Sequence, residues 1–263
     1  MTVALLGVPW DGSSSWRTGA ASAPEALRRE LERAREYANP FAESGLDVLA
    51  RLRDAGDTAH GDATEMRAAV ESAVGAVLAA GERPLVIGGD HSVTYPVLKA
   101  MRAAHGPVEV LHLDAHPDLY PEFGGDRFSH ACPFARALED GLVTRLVQVG
   151  LRSDSPPQRA MADRFGVEQT RMAEWGRPIG LFFEGPVYVS FDLDVLDPAF
   201  APGVSHPEPG GLTVREALSV LQRVHGHVIG ADLVEFNPSA DHHGQTAIVM
   251  AKLVRELAGL LVS

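Results

Sequence analysis

The sequence predicts a single three-layer α/β/α domain, residues 1–263, built on a mostly parallel β-sheet. Three observations carry this prediction. Short, nearly continuous apolar runs alternate with longer amphipathic segments along the whole chain, the pattern of parallel strands covered on both faces. No repeat, low-complexity segment or linker divides the 263 residues. The Asp- and His-bearing motifs fall where apolar runs end, and open parallel sheets bind ligands beyond the carboxyl ends of their strands.

Val3–Gly7 reads as the first strand. Pro24 opens a helix to about Tyr37 with Ala26, Leu27 and Leu31 among its apolar positions, since a first-turn proline lacks only an N–H the helix does not use. A weaker strand is expected before Asp54-Ala55-Gly56-Asp57. Asp62 or Thr64 caps the next helix, from about Met66 to Ala80. Leu85–Gly88 is a strand, and Ser92 to His105 a helix. Val108–Asp114, Leu146–Gly150, Val187–Asp192 and Val228–Val234 are further strands, with a weak one near Val167–Thr170. Helices fit at Cys132–Asp140, Pro156–Phe165, Thr213–Val224 and Gln245–Val262. The Pro/Gly-rich stretch Pro198–Gly211 is too short for a linker and reads as a structured loop.

A hydrophobic content of 45% with 22% charged residues is that of a soluble globular protein with a substantial core. The formal charge of −12 argues against nucleic acid or an anionic membrane as partner, because both need clustered Lys and Arg, and it suits a cationic substrate. No stretch approaches the ~20 apolar residues of a membrane helix. The single cysteine, Cys132, permits no disulfide within the chain. The start, Met1-Thr2-Val3-Ala4-Leu5, has no basic segment and soon meets Pro9 and Asp11, unlike a signal peptide; a cytoplasmic protein is the expectation.

Three motifs carry the chemistry: Gly88-Gly89-Asp90-His91-Ser92, Asp114-Ala115-His116-Pro117-Asp118 and Ser190-Phe191-Asp192-Leu193-Asp194. Each has a bland reading, with Ser92 as a helix cap and Asp114 and Asp118 as loop residues. Yet Asp-x-His-x-Asp puts three hard donors within one turn of chain, and the strand period of 2 directs Asp192 and Asp194 to the same side. Neighbouring carboxylates repel, so each pKa would rise unless a cation neutralised them. Two imidazoles and four carboxylates with no thiolate suit two hard divalent ions, Mn, Mg, Fe or Co, better than a structural zinc. Paired ions about 3.5–4 Å apart make water nucleophilic near neutral pH.

On these residues the chain resembles the ureohydrolases, the arginases, agmatinases and related guanidino-hydrolases. The resemblance spans almost the whole chain. It includes Gly7-Val8-Pro9-Trp10-Asp11, Ala23-Pro24-Glu25-Ala26-Leu27-Arg28, the three motifs, Pro209-Gly210-Gly211-Leu212 and Val234-Glu235-Phe236-Asn237-Pro238. Ser129–Arg136 and Ala201–His206 look most like the plant-type arginases and their bacterial relatives. The resemblance implies the arginase fold and two Mn²⁺ per subunit. It places one ion on His91, Asp114, Asp118 and Asp192 and the other on Asp114, His116, Asp192 and Asp194, with Asp114 and Asp192 bridging. It implies that His130 supplies a proton to the leaving amine and that Glu235 holds the guanidinium, while Asp118 also hydrogen-bonds the tetrahedral intermediate. The substrate it implies is a small cationic guanidino compound. L-arginine, giving L-ornithine, comes first; the alternatives are agmatine, giving putrescine, because the loop Leu119–Ser129 departs from the animal arginase pattern, or another guanidino acid. A homo-oligomer, trimer or hexamer, is also implied. Deacetylases share this general fold but use one zinc, and the second His and fourth carboxylate argue against them. Around these residues, His206 and Glu208 read as lining the entrance or as structural. His112 reads as a core histidine, Cys132 as a packed residue and His242-His243 as a surface loop. Arg127 reads as either a partner for a substrate carboxylate or a solvated side chain.

Overall fold

In the computed structural model, which describes residues 1–36, 41–177 and 179–263, the apolar runs become strands β1 (Val3–Gly7), β2 (Leu52–Asp57), β3 (Arg83–Ile87), β4 (Val108–Leu113), β5 (Val143–Leu151), β6 (Glu168–Arg171), β7 (Phe182–Asp192) and β8 (His225–Val234). They form one sheet in the order β2-β1-β3-β8-β7-β4-β5-β6, and every neighbouring pair is parallel. The helices are α1 (Ala23–Glu36), α2 (Ala63–Ala79), α3 (Thr94–His105), α4 (Pro133–Glu139), α5 (Pro156–Phe165), α6 (Val214–Leu221) and α7 (Gln245–Val262).

The strand period of 2 sorts the core into two halves. Leu5, Ile87, Leu111, Val189 and Leu233 pack with α1, α6 and α7 on one face, while Leu6, Val86, Val110, Tyr188 and Ile229 pack with α2, α3, α4 and α5 on the other. Helices on both faces make the expected three layers. The chain crosses from β3 through α3 to β4, leaving room between them that β7 and β8 later fill. That reversal of winding opens a crevice beyond the carboxyl ends of the four central strands.

Local signals set most boundaries. Asp62 caps α2 by accepting from the Thr64 and Glu65 amides at 2.8 and 2.9 Å, while Glu65 reaches back to the cap, which completes a capping box. The helix expected from Ser92 begins instead at Thr94, because His91–Val93 forms a 3₁₀ turn capped by Asp90. β2 runs through Asp54-Ala55-Gly56-Asp57 and does not precede it, an edge strand whose exposed polar residues hide the pattern. β5 and β7 start earlier than their apolar runs because exposed residues, Thr144 in β5 and Glu184 in β7, interrupt the apolar pattern near their starts. The expected end of the first helix, Tyr37, lies outside the described residues.

Candidate active site

All four central strands deliver side chains into the crevice. At the end of β3, Gly88-Gly89 lets the chain pass against the loop at Trp10: the Asp90 amide donates to the Trp10 carbonyl at 2.8 Å, and a Cβ on Gly89 would collide with that oxygen. The Asp90 carboxylate accepts from the Ser13 and Ser92 amides at 2.8 and 3.0 Å, and burial pushes its pKa up to about 6. Its role is to hold the turn.

His91 is fully buried. Its Nε2 lies 3.0 Å from Ser190 Oγ, which donates to Asp232 Oδ1 at 2.7 Å. The Asp232 carboxylate also accepts from Thr94 Oγ1 and the Tyr188 hydroxyl, both at 2.8 Å. With the serine proton given to Asp232, Nε2 must carry the imidazole hydrogen, an assignment made from the hydrogen-bond network. In the neutral ring this turns the Nδ1 lone pair toward Asp118 Oδ2 and Asp192 Oδ2 at 3.1 Å and Asp114 Oδ2 at 3.3 Å. Nδ1 makes no hydrogen bond of acceptable geometry to any of them. A lone pair facing three carboxylate oxygens is repulsive until a cation sits among them.

The second half of the cluster repeats this arrangement. His116 Nδ1 lies 3.0 Å from Asp194 Oδ2 and 3.4 Å from Asp114 Oδ1. Backbone amides hold the carboxylates in place: Asp114 accepts from His116 N at 2.6 Å, Asp192 from Asp194 N at 2.8 Å, and Asp194 from Ala115 N at 3.1 Å. Burial, then repulsion by neighbouring carboxylates, raises the pKa of Asp192 well above the ordinary value and raises that of Asp194 as well. Asp114 goes the other way. Burial opposes its ionisation, but His112, His116 and His91 outweigh that and hold it well below the usual carboxylate range. For His91 and His116 burial is likewise overcome: with no metal among them the surrounding carboxylates favour a proton on each ring and raise both imidazoles well above the ordinary histidine value, so the neutral ring with its free lone pair is the form a metal would take.

Asp118 and Glu235 have φ of 51° and 65°, the positive-φ non-glycine residues among those described. Each such residue costs on the order of 1–3 kcal/mol, and strained residues of this kind gather at functional sites. Glu235 is anchored by its amide to the Gly89 carbonyl at 2.8 Å, and its Oε1 accepts from the His91 amide at 3.0 Å. Its Oε2 is buried without a hydrogen-bond partner, and burial, then Asp90 and Asp194, pushes its pKa well up.

Above this floor opens a cavity of about 210 Å³ whose wall includes Asp118, Asp192, Asp194 and Glu235; His91 and Asp114 lie beneath the wall. His130 and His206 stand at its mouth, stacked at 4.8 Å between ring centroids and 15° between planes. Ser15 Oγ sits 3.0 Å from His130 Nε2 and 3.2 Å from His206 Nε2. His130 Nδ1 is 3.8 Å from Glu235 Oε1, and burial lowers the His130 pKa to about 4.

All eight residues singled out in the sequence thus come together: His91, Asp114, His116, Asp118, Asp192 and Asp194 in the floor, with His130 and Glu235 beside them. Other expectations sort themselves by position. His206 is in the cavity wall, whereas Glu208 is not, its carbonyl oxygen accepting from Arg152. Arg127 is largely exposed and paired with Glu139 at 2.9 Å. Cys132 is buried with its thiol pKa pushed up to about 12 by burial, and His242 and His243 are exposed before α7. His112 is a core residue as expected, but its Nε2 also pairs with Asp114 Oδ2 at 2.8 Å while Gln148 Nε2 contacts its Nδ1 at 3.0 Å. Sequence reasoning missed the supports: Ser15, Gln148, Ser190 and Asp232. Ser190 and His112 each precede a cluster aspartate by two residues on the same strand face, a signal that the period of 2 offers.

A family model described as the arginase family matches residues 1–259. The chain belongs to the arginase family. It is 44% identical to "Arginase 1, mitochondrial" of Arabidopsis thaliana over 98% of this chain and 80% of that protein, and 35% identical to "Agmatinase, mitochondrial" of Gallus gallus over 99% and 81%. The solved structure of the arginase from Medicago truncatula superimposes with a TM-score of 0.93 at 41% identity, over 99% of this chain and 87% of that one. These family relatives correct one expectation. The plant arginases at 42% and 44% identity are named as mitochondrial or chloroplastic, so a cytoplasmic location is not favoured. No helix among the described residues is long and apolar enough to cross a membrane.

Proposed function

We propose that residues 1–263 form one ureohydrolase unit, a binuclear manganese enzyme that hydrolyses L-arginine to L-ornithine and urea. The observation that carries this reading is the donor geometry of the floor. His91 Nδ1, with no hydrogen bond of its own, faces oxygens of Asp114, Asp118 and Asp192, while His116 Nδ1 faces Asp194 and Asp114. Such a set would hold two cations, His91, Asp114, Asp118 and Asp192 being offered to one and Asp114, His116, Asp192 and Asp194 to the other. Four carboxylates to two imidazoles favour a hard ion such as Mn²⁺. A pair of divalent ions in this position supplies a water made nucleophilic near neutral pH.

The chain's own groups do the rest. A guanidinium stays protonated in water, so it enters as a cation. The unpartnered Oε2 of Glu235, buried in the cavity wall, is placed to accept from its N–H groups. That contact fixes the central carbon over the floor, where Asp118 can accept a hydrogen bond from the tetrahedral species. His130, held neutral by burial, takes up a proton at one ring nitrogen and returns it to the departing nitrogen, so that urea and an amine leave. Substrate plus one water then balances ornithine plus urea.

L-arginine is preferred on the identity to the Arabidopsis arginase. One observation favours agmatine as a second reading: the described cavity wall contains no Arg or Lys to pair with an α-carboxylate. The test is urea release from Mn-loaded protein with L-arginine and agmatine side by side. Urea from L-arginine at the higher kcat/KM supports the reading, urea from agmatine alone replaces it with the second, and urea from neither sinks both. A homo-oligomer, trimer or hexamer, belongs to the same proposal and is checked by light scattering.

A further inference from the structure

The mouth of the cavity holds a donor set that the proposed reaction does not use as a set. His130 Nε2 and His206 Nε2 converge on one atom, Ser15 Oγ, at 3.0 and 3.2 Å, although Ser15 and His206 are 191 residues apart. Below them Glu235 Oε1 lies 3.8 Å from His130 Nδ1, and Glu235 Oε2, in a side chain only 3% exposed, has no hydrogen-bond partner. One ligand atom from each of His130, His206 and Glu235 falls within 4.8 Å of the other two. A tetrahedral zinc with bonds of about 2.0–2.1 Å requires ligand separations of about 3.4 Å. The site requires that gap to close, and the movement falls to the two imidazoles, both partly exposed, because Glu235 is buried.

The geometry points to a third metal site across the cavity mouth, in which His130, His206 and Glu235 bind one zinc-type divalent ion that shuts out the guanidino substrate. The floor and the mouth select different ions. Four carboxylates to two imidazoles suit Mn²⁺, whereas two imidazoles to one carboxylate suit Zn²⁺, Ni²⁺ or Cu²⁺. Water or the Ser15 hydroxyl completes the fourth position. The ion occupies Glu235, the group offered to the guanidinium, and His130, the group offered for proton transfer. Inhibition is therefore competitive with substrate, and this consequence rests on the function proposed above; binding of the ion does not.

The test titrates Mn-loaded protein with zinc chloride without substrate, removes free ions on a desalting column, and counts both metals per subunit. The expected result is one added zinc with manganese retained, and loss of that zinc in both His206→Thr and Glu235→Gln. The manganese content of each variant reports whether its floor is intact, and the two substitutions sit on separate segments, so the pair survives a folding failure in either. Zinc that replaces manganese one for one, or zinc retained by a variant with a full manganese complement, overturns the site. In urea assays zinc raises the apparent KM in the parent protein, and the zinc needed rises at least about tenfold in His206→Thr; a fall in kcat at unchanged KM overturns the competitive mode. Should neither guanidino compound yield urea, the functional reading fails while the metal count still decides the site.

Discussion

The floor of the cavity is made from strand ends and the mouth from loops, and the two respond to burial in opposite ways. On the floor, burial and crowding raise Asp192 and Asp194 and leave the His91 Nδ1 surrounded by carboxylate oxygens. At the mouth, burial lowers His130 to about 4 and lowers His206 as well, so both rings are neutral at pH 7. One desolvating environment thus yields a floor that demands cations and a mouth that is free to accept a proton. The groups offered to the paired ions and the group offered for proton transfer are thus set apart, because acids and bases answer burial with opposite sign.

Substitutions that touch one region and not the other test this division, and the largest effect belongs to the floor. Asp192→Ala removes an oxygen facing His91 and breaks the charge balance of both halves; bound manganese and urea release should fall together to background, as read by metal analysis and assay. His130→Asn should lower kcat by about 10²–10⁴-fold with manganese content unchanged, because only the proton step is lost. Loss of manganese in that variant would merge the two regions. Glu235→Gln should depress kcat/KM by on the order of 10²-fold with a raised KM, since a charged hydrogen-bond acceptor for the guanidinium becomes neutral; unaltered steady-state kinetics would remove Glu235 from the site. Asp232→Asn, which acts on His91 through Ser190, should weaken manganese binding by about 10–100-fold while saturating manganese restores activity.

The smallest effect sharpens the electrostatic half of the comparison. In the metal-free protein Asp192, Asp194 and Glu235 have folded pKa values above their unfolded ones. Their stabilisation is complete below the ordinary carboxylate pKa and is lost as pH rises through the raised values. His91 and His116, also raised, lose theirs as pH climbs above the ordinary histidine value. Asp114 and His130, both lowered, work in the reverse direction and are outnumbered. The melting-temperature gain on adding manganese should therefore widen between about pH 5 and about pH 8, a trend that scanning fluorimetry can follow. A gain that shrinks over that range would mean the carboxylates are not strained without ions.

How much of this was legible in the sequence follows the same line between strand ends and loops. His91, Asp114, His116, Asp118, Asp192 and Asp194 lie in contiguous motifs, each after an apolar run, so the end of each run places its motif at the carboxyl edge of the sheet whatever the strand order. Glu235 was placed by the end of β8 in the same manner. The mouth has no such signature, because Ser15 meets His206 only through a loop that crosses the crevice, and neither segment has a periodicity to read. Asp232 illustrates the intermediate case. It is an acid inside an apolar strand, which marks it as needing buried partners, but the identity of Thr94, Tyr188 and Ser190 as those partners depends on the strand order. The edge strands β2 and β6, partly exposed, lost the apolar pattern that made the central ones plain.

The central claim is that the strand ends of this fold hold two ions, and diffraction from manganese-grown crystals above and below the metal's absorption edge tests it most directly. The account predicts two anomalous peaks on the floor about 3.5–4 Å apart, one beside His91 and Asp118, the other beside His116 and Asp194, with Asp114 and Asp192 between them. A single peak, or peaks away from these six side chains, would contradict it.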